Sequence, residues 1–275
     1  TGYAAHGVFA HSVGGSGGVA GISGVFEGGP TSFVGSAGDQ GDAGAVSIDV
    51  DGVISVSGED AHAVFAQSAS GKTAGDTSGD VTINVYQNTS ATGLDGRGIL
   101  AQSASVDNAQ NGTIKIYVGP YQGTTDIPTV TTGASSKETL YLWGGANNTI
   151  TNAGTLTQQN ASSYVIRTDA VATTTVDNTG TINGSILGAT VASDPLRSAG
   201  GVNQFVFAGP SSIDVHNRQG GNLNAGLLLD VRNLDNQGTL AVGGSNQIGT
   251  TRLTGDLRQS GDGRLAIDLD PRQPL

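Results

Sequence analysis

The sequence contains no cysteine and no methionine, and only 13% of its 275 residues are charged. A chain without cysteine has no disulfide bonds, so backbone pairing and side-chain packing must hold it together. It also has no apolar run near the roughly 20 residues that a membrane-spanning helix requires. Basic residues are few, with 12 Lys and Arg against 23 Asp and Glu, and the net charge is −11. This charge predicts repulsion from nucleic acid and from anionic membranes, so neither is an expected partner.

What the sequence has instead is glycine and short alternating apolar segments. Glycine accounts for 45 residues and hydrophobic residues for 36%. An intrinsically disordered chain carries more charge and fewer Val and Ile residues, so this composition favours an ordered protein with many tight turns. No segment has the spacing of an amphipathic helix, whereas apolar and polar residues alternate as in half-buried strands. The sequence therefore predicts an all-β protein.

An internal repeat organises the first part of the chain. Residues 45–70 align without a gap on residues 80–105, so that Val46 corresponds to Val81 and each residue lies 35 positions before its counterpart. A third copy of the second strand in this repeat occupies residues 6–12. Self-similarity at a fixed period of this length is typical of solenoids, in which each coil stacks on the next.

The alternation within each copy predicts which side chains form the core. Each copy contains an alternating strand, a turn and a second strand, with Val, Ile and Phe expected on one side and Ser, Thr, Asp and Asn on the other. One sheet cannot bury its apolar side alone, so equivalent strands are expected to pair in parallel in successive coils. This places Phe65 beside Leu100, and Ile83 and Ile116 in the interior. At about 25 residues per coil, the chain is expected to form on the order of ten coils.

The second half of the chain carries a different consensus, Asn-x-Gly-Thr followed by Leu or Ile. Asn and Gly tolerate positive φ, so each copy is expected to form a corner followed at once by a strand. Stacked Asn side chains can also hydrogen-bond to one another along the coil axis. The copies begin at Asn152, Asn178 and Asn236, about one and two coils apart, and residues 110–114 are a near relative.

Between the two consensus types, an irregular break is expected over residues 119–145. Pro120 and Pro128 fall in this stretch, and proline lacks the backbone donor that strand pairing needs. The sequence thus divides into coils over 1–118, the break, and further coils over 146–275.

Two features of the sequence resemble a known family. The repeats in 60–70 and 95–105 that end in Ala-Gln-Ser, together with the glycine run 14–18, are similar to the passenger regions of bacterial autotransporters. The segment 254–268 resembles the end of such passengers. There a Gly-Asx-aromatic-x-Gln…Gly-x-Leu-x-Ile-Asp pattern lies shortly before the outer-membrane barrel, although Leu257 stands in place of the usual aromatic residue.

The resemblance implies a right-handed parallel β-helix, a solenoid with glycine-rich loop insertions, exported through the outer membrane of a Gram-negative bacterium. It implies a cell-surface or secreted location, often an adhesive role, and C-terminal coils that assist folding as an autochaperone. In a longer parent chain this segment would be continuous with, or cleaved from, the barrel, and Thr1 would lie in mid-repeat.

Two short motif matches lack the context that their chemistry needs. Residues 66–73 end in Gly-Lys-Thr as a phosphate-binding loop does, but Ala66 stands where the first glycine belongs and no helix is expected to follow. Residues 14–18 match Gly-x-Ser-x-Gly, but inside a glycine run and not at a strand-to-helix elbow. Neither match predicts a nucleotide site or a serine hydrolase. The histidines available as a base are not arranged with Ser and Asp in any recognised order: His6, His11, His62 and His216.

One histidine position recurs in the repeat. His6 and His62 occupy the same repeat position, and Arg97 occupies it in the next copy. A position that accepts either residue type is expected to be a surface corner and not a catalytic site.

The acidic residues allow a calcium site that the sequence alone leaves open. Residues 38–44 resemble a Gly/Asp calcium-binding repeat, but stacked sites need that motif in successive turns and it occurs once. A weak surface site near Asp39 and Asp42 is therefore one alternative, and a solvated acidic face is the expected one. The other carboxylates expected on the outward face are Asp49, Asp51, Glu59, Asp60 and Asp95.

The sequence predicts a non-enzymatic adhesin or structural stalk, with no catalytic, cofactor-binding or metal-binding residue assigned and no cofactor needed. Expected partners are a host-cell or matrix surface, a glycan, or another copy of the chain, contacted through the loops 14–44, 70–79 and 119–137. The alternative is a carbohydrate-active enzyme or hydrolase on the same scaffold. A glycosidase needs two carboxyl groups at a defined separation and commonly aromatic platforms. Trp143 is expected to pack at the break, and the six tyrosines are expected to be scattered.

Overall fold

The described part of the chain is β-structure, and its strands pair in parallel in two sheets. The computed structural model describes residues 2–14, 40–71, 73–105, 110–169, 172–188 and 211–269, and no α-helix occurs in these ranges. Within them, no helix is long and apolar enough to cross a membrane. The prediction of an all-β, solenoid-like coil of parallel strands is confirmed.

Each coil passes through three faces in turn. The first face is an eight-stranded sheet made of β2 (Val46–Val50), β5 (Val81–Val85), β8 (Ile114–Val118), β11 (Asn148–Asn152), β14 (Thr174–Asn178), β16 (Ile213–Asn217), β18 (Asn233–Asn236) and β21 (Asp256–Gln259). The second face holds β3 (Ile54–Val56), β6 (Thr89–Ala91), β9 (Thr129–Thr132), β12 (Thr155–Gln158), β19 (Thr239–Val242) and β22 (Arg264–Ile267). The third holds β1 (Val8–Val13), β4 (Val64–Ala69), β7 (Ile99–Ala104), β10 (Leu140–Gly144), β13 (Tyr164–Asp169) and β20 (Arg252–Leu253).

The second and third faces join into one 14-stranded sheet because two strands run through the corner between them. These strands are β15 (Thr181–Leu187) and β17 (Asn222–Asp230), which pair with each other and with both faces. Their register shifts between Gly184 and Ile186, where a β-bulge bends the strand. Gly184 has φ 138°, a conformation that favours glycine. The sequence did not predict the short strands β3, β6 and β9 of the second face, because three or four residues show too little alternation to mark a strand. The Asn-x-Gly-Thr pattern did predict β12 and β19, which directly follow its corners.

The register agrees with the sequence repeat. Val46 pairs with Val81 and Phe65 with Leu100, as predicted. The first sheet has eight strands within the described residues, against about ten expected. Coil length varies with the loops, since equivalent residues lie 35 positions apart early in the chain but 39 and 19 apart later.

The interior is a continuous stack of Val, Ile and Leu side chains from all three faces. Ile83 and Ile116 are 0% and 2% exposed, which confirms their inward assignment. The expectation that Phe shares the inward side is wrong. Val64 packs in the interior, whereas Phe65, the next residue of the strand, points to the opposite side and packs with Leu100 in a separate cluster.

A repeated turn explains the glycine and aspartate that the first two copies share. A Cβ on Gly93 would lie 1.9 Å from the carbonyl oxygen of Gly58 in the preceding coil, so the two corners stack without room for a side chain. Asp60 and Asp95 follow in equivalent positions with φ 54° and 57°, the left-handed conformation that Asp tolerates better than most residues. The aligned sequence positions therefore form the same corner twice.

The predicted irregular break over 119–145 requires correction. Strands β9 and β10 lie within it, and β10 pairs in register with β7 and β13. Both prolines fall outside strands, so the coil accommodates them in the loop that precedes β9. Trp143 belongs to β10 and packs with Tyr141 on the outer side of the third face.

A ladder of buried amides runs along the corner after the first sheet. Each side chain donates from its nitrogen to the oxygen of the next, at 2.7 Å, 2.8 Å, 2.7 Å and 3.0 Å, in the order Asn152, Asn178, Asn217, Asn236 and Gln259. The four Asn residues are 0% exposed. The predicted side-chain stacking is confirmed, as are the spacings of one and two coils.

The near relative at 110–114 proves to belong to a different corner. Gly112 and Thr113 lead into β8 of the first face, and Ile114 aligns with Val81. Asn111 is outside the ladder and accepts hydrogen bonds from the backbone and hydroxyl of Ser105. Similar Asn-Gly-Thr sequences thus occur at two different corners of the coil, because a turn before any strand favours Asn and Gly.

The last described coil differs from the others in exposure. Every residue of β21 and β22 is exposed, although β21 pairs in register with β18 and β22 with β19. Leu257, the position that departs from the autotransporter pattern, aligns with Leu234 and is 42% exposed.

Candidate functional site

The strongest concentration of buried charge lies at the third face, at the repeat position shared by His6, His62 and Arg97. The expectation of a surface corner is wrong here, because His62 is 1% exposed and Arg97 is 4% exposed. The rings of His6 and His62 stack with their centroids 4.9 Å apart. His6 Nδ1 accepts the backbone N–H of His62 at 3.1 Å, and His62 Nδ1 accepts that of Arg97 at 3.3 Å. Both imidazoles therefore act as acceptors within the stack.

Arg97 can be buried because the next coils supply its counter-ions. Arg97 Nε contacts Glu138 Oε2 at 2.7 Å, and Arg167 Nη1 contacts Glu138 Oε1 at 3.2 Å. Arg167 also contacts Asp169 through Nη2 at 3.3 Å. We call Arg97, Glu138, Tyr141, Arg167 and Asp169 the ion cluster.

The aromatic ring of Tyr141 lies between the two arginines of the ion cluster. The Cζ atoms of Arg97 and Arg167 lie 5.1 Å and 5.2 Å from its centroid, within the range of cation–π contact. The Tyr141 hydroxyl donates to Asp169 Oδ2. Three successive coils are thereby joined by charge and by ring contact.

The pKa shifts in this region follow from burial and from the arginines. Burial lowers the pKa of His62 to about 2, assisted by the positive charge of Arg97, and burial also lowers the pKa of His6. Burial alone would raise the pKa of Glu138, but Arg97 and Arg167 outweigh it and bring that pKa to about 2. Burial, and then the charge of Asp169, raise the pKa of Tyr141. Near neutral pH the histidines are neutral, Glu138 is ionised and Tyr141 is protonated.

This arrangement is poorly suited to acid–base catalysis. A general acid or base needs a pKa near the working pH, and the pKa values of His62, Glu138 and Tyr141 are shifted away from neutral pH. Arg167 contacts both Glu138 and Asp169 and so occupies the space between the two carboxylates that a glycosidase leaves for substrate and water. The ion pairs instead connect side chains of neighbouring coils.

The Ala-Gln-Ser repeat also has a structural explanation. Gln67 Nε2 donates to Gln102 Oε1 at 2.8 Å, between equivalent residues of adjacent coils. Ser68 Oγ donates to the Gly44 carbonyl and Ser103 Oγ to that of Gly79, both at 2.9 Å. The same hydrogen bond thus ties the third face to the turn before the first sheet in two successive coils.

The two motif matches do not form sites in the part of the chain that the structure describes. Strand β4 ends at Ala69, and Gly71 donates its N–H to the Gly41 carbonyl at 2.8 Å, with no helix after it. Lys72 and residues 15–18 of the Gly-x-Ser-x-Gly match lie outside the described residues.

The candidate calcium ligands are only partly described. Asp42 is exposed, and its Oδ1 accepts hydrogen bonds from the Thr77 backbone at 2.7 Å and the Thr77 hydroxyl at 3.0 Å. These bonds, backbone first, lower the pKa of Asp42. Asp39 lies outside the described residues. Within the described ranges, no group of three or more His, Cys, Asp or Glu side chains is placed to hold a metal ion.

The expectation that the tyrosines are scattered is wrong for three of them. Tyr86, Tyr117 and Tyr121 meet on the outer side of the first sheet. The signal that could have revealed this is the repeat register, which aligns Tyr117 with Asn84, two residues before Tyr86.

Comparison of the chain with family models, curated proteins and solved structures found no match.

Proposed function

We propose that this chain is a segment of an autotransporter passenger, forming a right-handed parallel β-helix with glycine-rich loop insertions. It acts without catalysis, as an adhesin or structural stalk, at the surface of a Gram-negative bacterium or after release from it. The observation that carries the proposal is the in-register stacking of the Ala-Gln-Ser copies in β4 and β7. The sequence repeat on which the resemblance depends is also the repeating unit of the fold.

The handedness in this proposal has a physical basis. A connection that returns to a parallel strand of the same sheet is right-handed in about 98% of cases, because strands twist to the right. Every strand pair in the described residues is parallel, so each coil makes such a return.

The use of the buried charges supports a non-catalytic role. The ion cluster joins neighbouring coils, and both of its carboxylates contact Arg167. The surface and its loops then remain for binding to a host cell, matrix or glycan, or for self-association. A rod of stacked coils also places such surfaces at a distance from the membrane, as a stalk requires.

Binding and turnover assays test the proposal. Beads coated with the 275-residue chain are expected to bind host cells or matrix glycoproteins saturably, in competition with the soluble chain, and the chain is expected to release no product from a glycan panel. Turnover of any glycan would overturn the non-enzymatic role. Antibodies against the chain should label intact producing cells or the culture medium, and labelling only after lysis would overturn the location.

A further inference from the structure

The outer side of the first sheet carries exposed aromatic rings on a polar surface. We call Tyr86, Tyr117 and Tyr121 the tyrosine patch. The ring centroid of Tyr86 lies 5.9 Å from that of Tyr117 and 5.0 Å from that of Tyr121. Tyr121 is 54% exposed, and the other two are half-buried. The remaining outward positions in the strands of this sheet hold Ser, Thr, Asp, Asn, Lys, His or Arg, so the rings are not part of an apolar layer.

The local structure holds these rings in place. The Tyr117 hydroxyl donates to the Pro120 carbonyl at 3.1 Å, which folds the ring along the surface. A Cβ on Gly119 would lie 2.5 Å from that hydroxyl oxygen, so the missing side chain leaves room for the ring. The backbone N–H and hydroxyl of Thr124 both donate to the Tyr121 carbonyl, at 3.0 Å and 2.9 Å, and close the turn that carries Tyr121.

The arrangement of the rings forms a corner. The planes of Tyr86 and Tyr121 are 89° apart, so a ligand in this corner can contact one ring from below and the other ring from the side. Aromatic rings that are already ordered lose little conformational entropy when a ligand binds them.

Polar groups lie beside the rings in the adjoining coils. Asp49 aligns with Asn84, and Asn84 with Tyr117. Asn84 Nδ2 donates to Asp49 Oδ1 at 2.8 Å. Asp49 is exposed and Asn84 is half-buried on this outer side, so a carboxylate and an amide lie beside the tyrosine patch. Partial burial, and then the charges of Asp49 and Asp51, raise the pKa of Tyr86, which shows that both carboxylates are within electrostatic reach.

We propose that the tyrosine patch, with Asp49 and Asn84, binds a neutral glycan. A pyranose ring has an apolar C–H face that can stack on an aromatic ring, and hydroxyl groups at its edge that can donate to carboxylate and amide oxygens. The neighbouring carboxylates and the net charge of −11 repel anionic glycans. This inference deepens the adhesin proposal and rests on it for the biological role, but the binding itself can be measured separately.

Titration of the 275-residue chain with defined oligosaccharides tests the proposal. The probes are cellohexaose and the hexamer of N-acetylglucosamine as neutral glycans, a heparin hexasaccharide as an anionic glycan, and a proline-rich peptide as a different class of ligand for aromatic surfaces. Calorimetry and saturation-transfer NMR give affinity and contact. We expect saturable binding of a neutral probe and none of the heparin probe.

Three variants locate the binding. Tyr121→Ala and Tyr86→Ala are each expected to weaken the affinity about tenfold, which corresponds to about 1.4 kcal/mol. Gly119→Ala keeps all three tyrosines but displaces the Tyr117 ring, so it should also weaken binding. Tyr3→Ala is the matched control, because Tyr3 is 60% exposed and lies outside the tyrosine patch. It should leave the affinity unchanged.

Several results would overturn the proposal. These are the absence of saturable neutral-glycan binding, equal affinity of the patch variants and the control, preferential binding of the heparin probe, or capture of the peptide alone. The cell-binding assay separates this failure from that of the proposed function. If the wild-type chain and Tyr86→Ala bind cells equally well, the adhesin role stands without the patch. If the chain binds the oligosaccharide but does not bind cells, the glycan site remains supported and the adhesin role is overturned.

Discussion

Removing one amide from the buried ladder would measure how much hydrogen bonds between coils stabilise the rod. The Asn178 side chain accepts from Asn152 Nδ2 at 2.7 Å and donates to Asn217 Oδ1 at 2.8 Å. Asn178→Ala removes both bonds and leaves the oxygen of Asn217 buried without its donor. Two hydrogen bonds contribute about 1 kcal/mol each, and an unsatisfied buried acceptor costs about 1 to 3 kcal/mol. We therefore expect the free energy of unfolding to fall by roughly 3 to 5 kcal/mol.

The same coil supplies a matched control. Asn183 also lies in a chain of amide contacts, since it donates to the Thr157 hydroxyl at 3.0 Å and accepts from Asn224 Nδ2 at 2.6 Å. It is half-buried on the outer surface, so water can replace the lost partners. Asn183→Ala is expected to cost less than about 1 kcal/mol.

Urea unfolding followed by circular dichroism gives the comparison. A solenoid can open in parts, so native-state hydrogen exchange of the amides in β14 and β16 should be measured in the same variants. Equal losses for the two substitutions would refute the reasoning. So would a loss below about 1 kcal/mol for Asn178→Ala, because it would mean that the ladder contributes little beyond the backbone pairing.

Three further predictions concern the interior and the buried charges. In urea melts, Ile83→Asp is expected to lower the free energy of unfolding by several kcal/mol, because it buries an unpaired charge. Thr82→Asp on the outer side should lower it by less than about 1 kcal/mol. Similar losses for the two variants would contradict the inward assignment of Ile83. Because burial lowers the folded-state pKa values of His62 and His6, the free energy of unfolding is expected to fall as the pH drops below 6.5, with His62 contributing up to about 1.4 kcal/mol per pH unit. His62→Gln should reduce that slope between pH 6.5 and 4.5, and an unchanged slope would contradict the assignment. Glu138→Gln should lower the free energy of unfolding by about 3 to 5 kcal/mol, since it leaves the two contacting arginines without their shared carboxylate. A loss below about 1 kcal/mol at pH 7 would contradict this prediction. So would a variant that loses as much stability as the unaltered chain when the pH falls from 4.5 towards 2.

The part of the fold that sequence could predict is the part encoded in side-chain repetition. A strand with five alternating residues, such as Val81–Val85, has one register in which its apolar side faces the interior. A gapless alignment between copies therefore predicts the pairing residue by residue. Sequence also predicted the amide ladder at Asn152, Asn178 and Asn236, because the Asn-x-Gly-Thr motif recurs without insertions.

Where loops change length, sequence reasoning failed. Asn217 lies in the ladder between Asn178 and Asn236, but two extra residues precede Gly221 and hide the motif. The coil that contains Glu138 shares no consensus with its neighbours, so its alignment with Arg97 could not be predicted. Without that counter-ion, a repeat position holding His or Arg indicates a solvent-exposed corner. The buried charge is thus explained by three-dimensional proximity and not by any local signal.

The tyrosine patch was missed for a related reason. Tyr86 follows the end of β5, Tyr117 lies within β8, and Tyr121 lies in a loop, so they share no repeat position. The register of β5 and β8 brings Tyr86 near Tyr117, but the position of Tyr121 depends on the path of the loop after Gly119. Sequence periodicity carries information about strands, and contacts made by loops are set by geometry that the period does not encode.

The amide ladder gives the rod a chemical direction. Each side chain from Asn152 to Asn236 donates toward the coil that follows it, so the amide dipoles point the same way and reinforce one another. The ladder begins inside the rod, because the coil before Asn152 places Val118 at the same position and Asn152 Oδ1 accepts the Gly154 N–H at 3.3 Å. The row of amides can therefore lengthen only at Gln259, where a further coil would have to present an oxygen to the amide nitrogen.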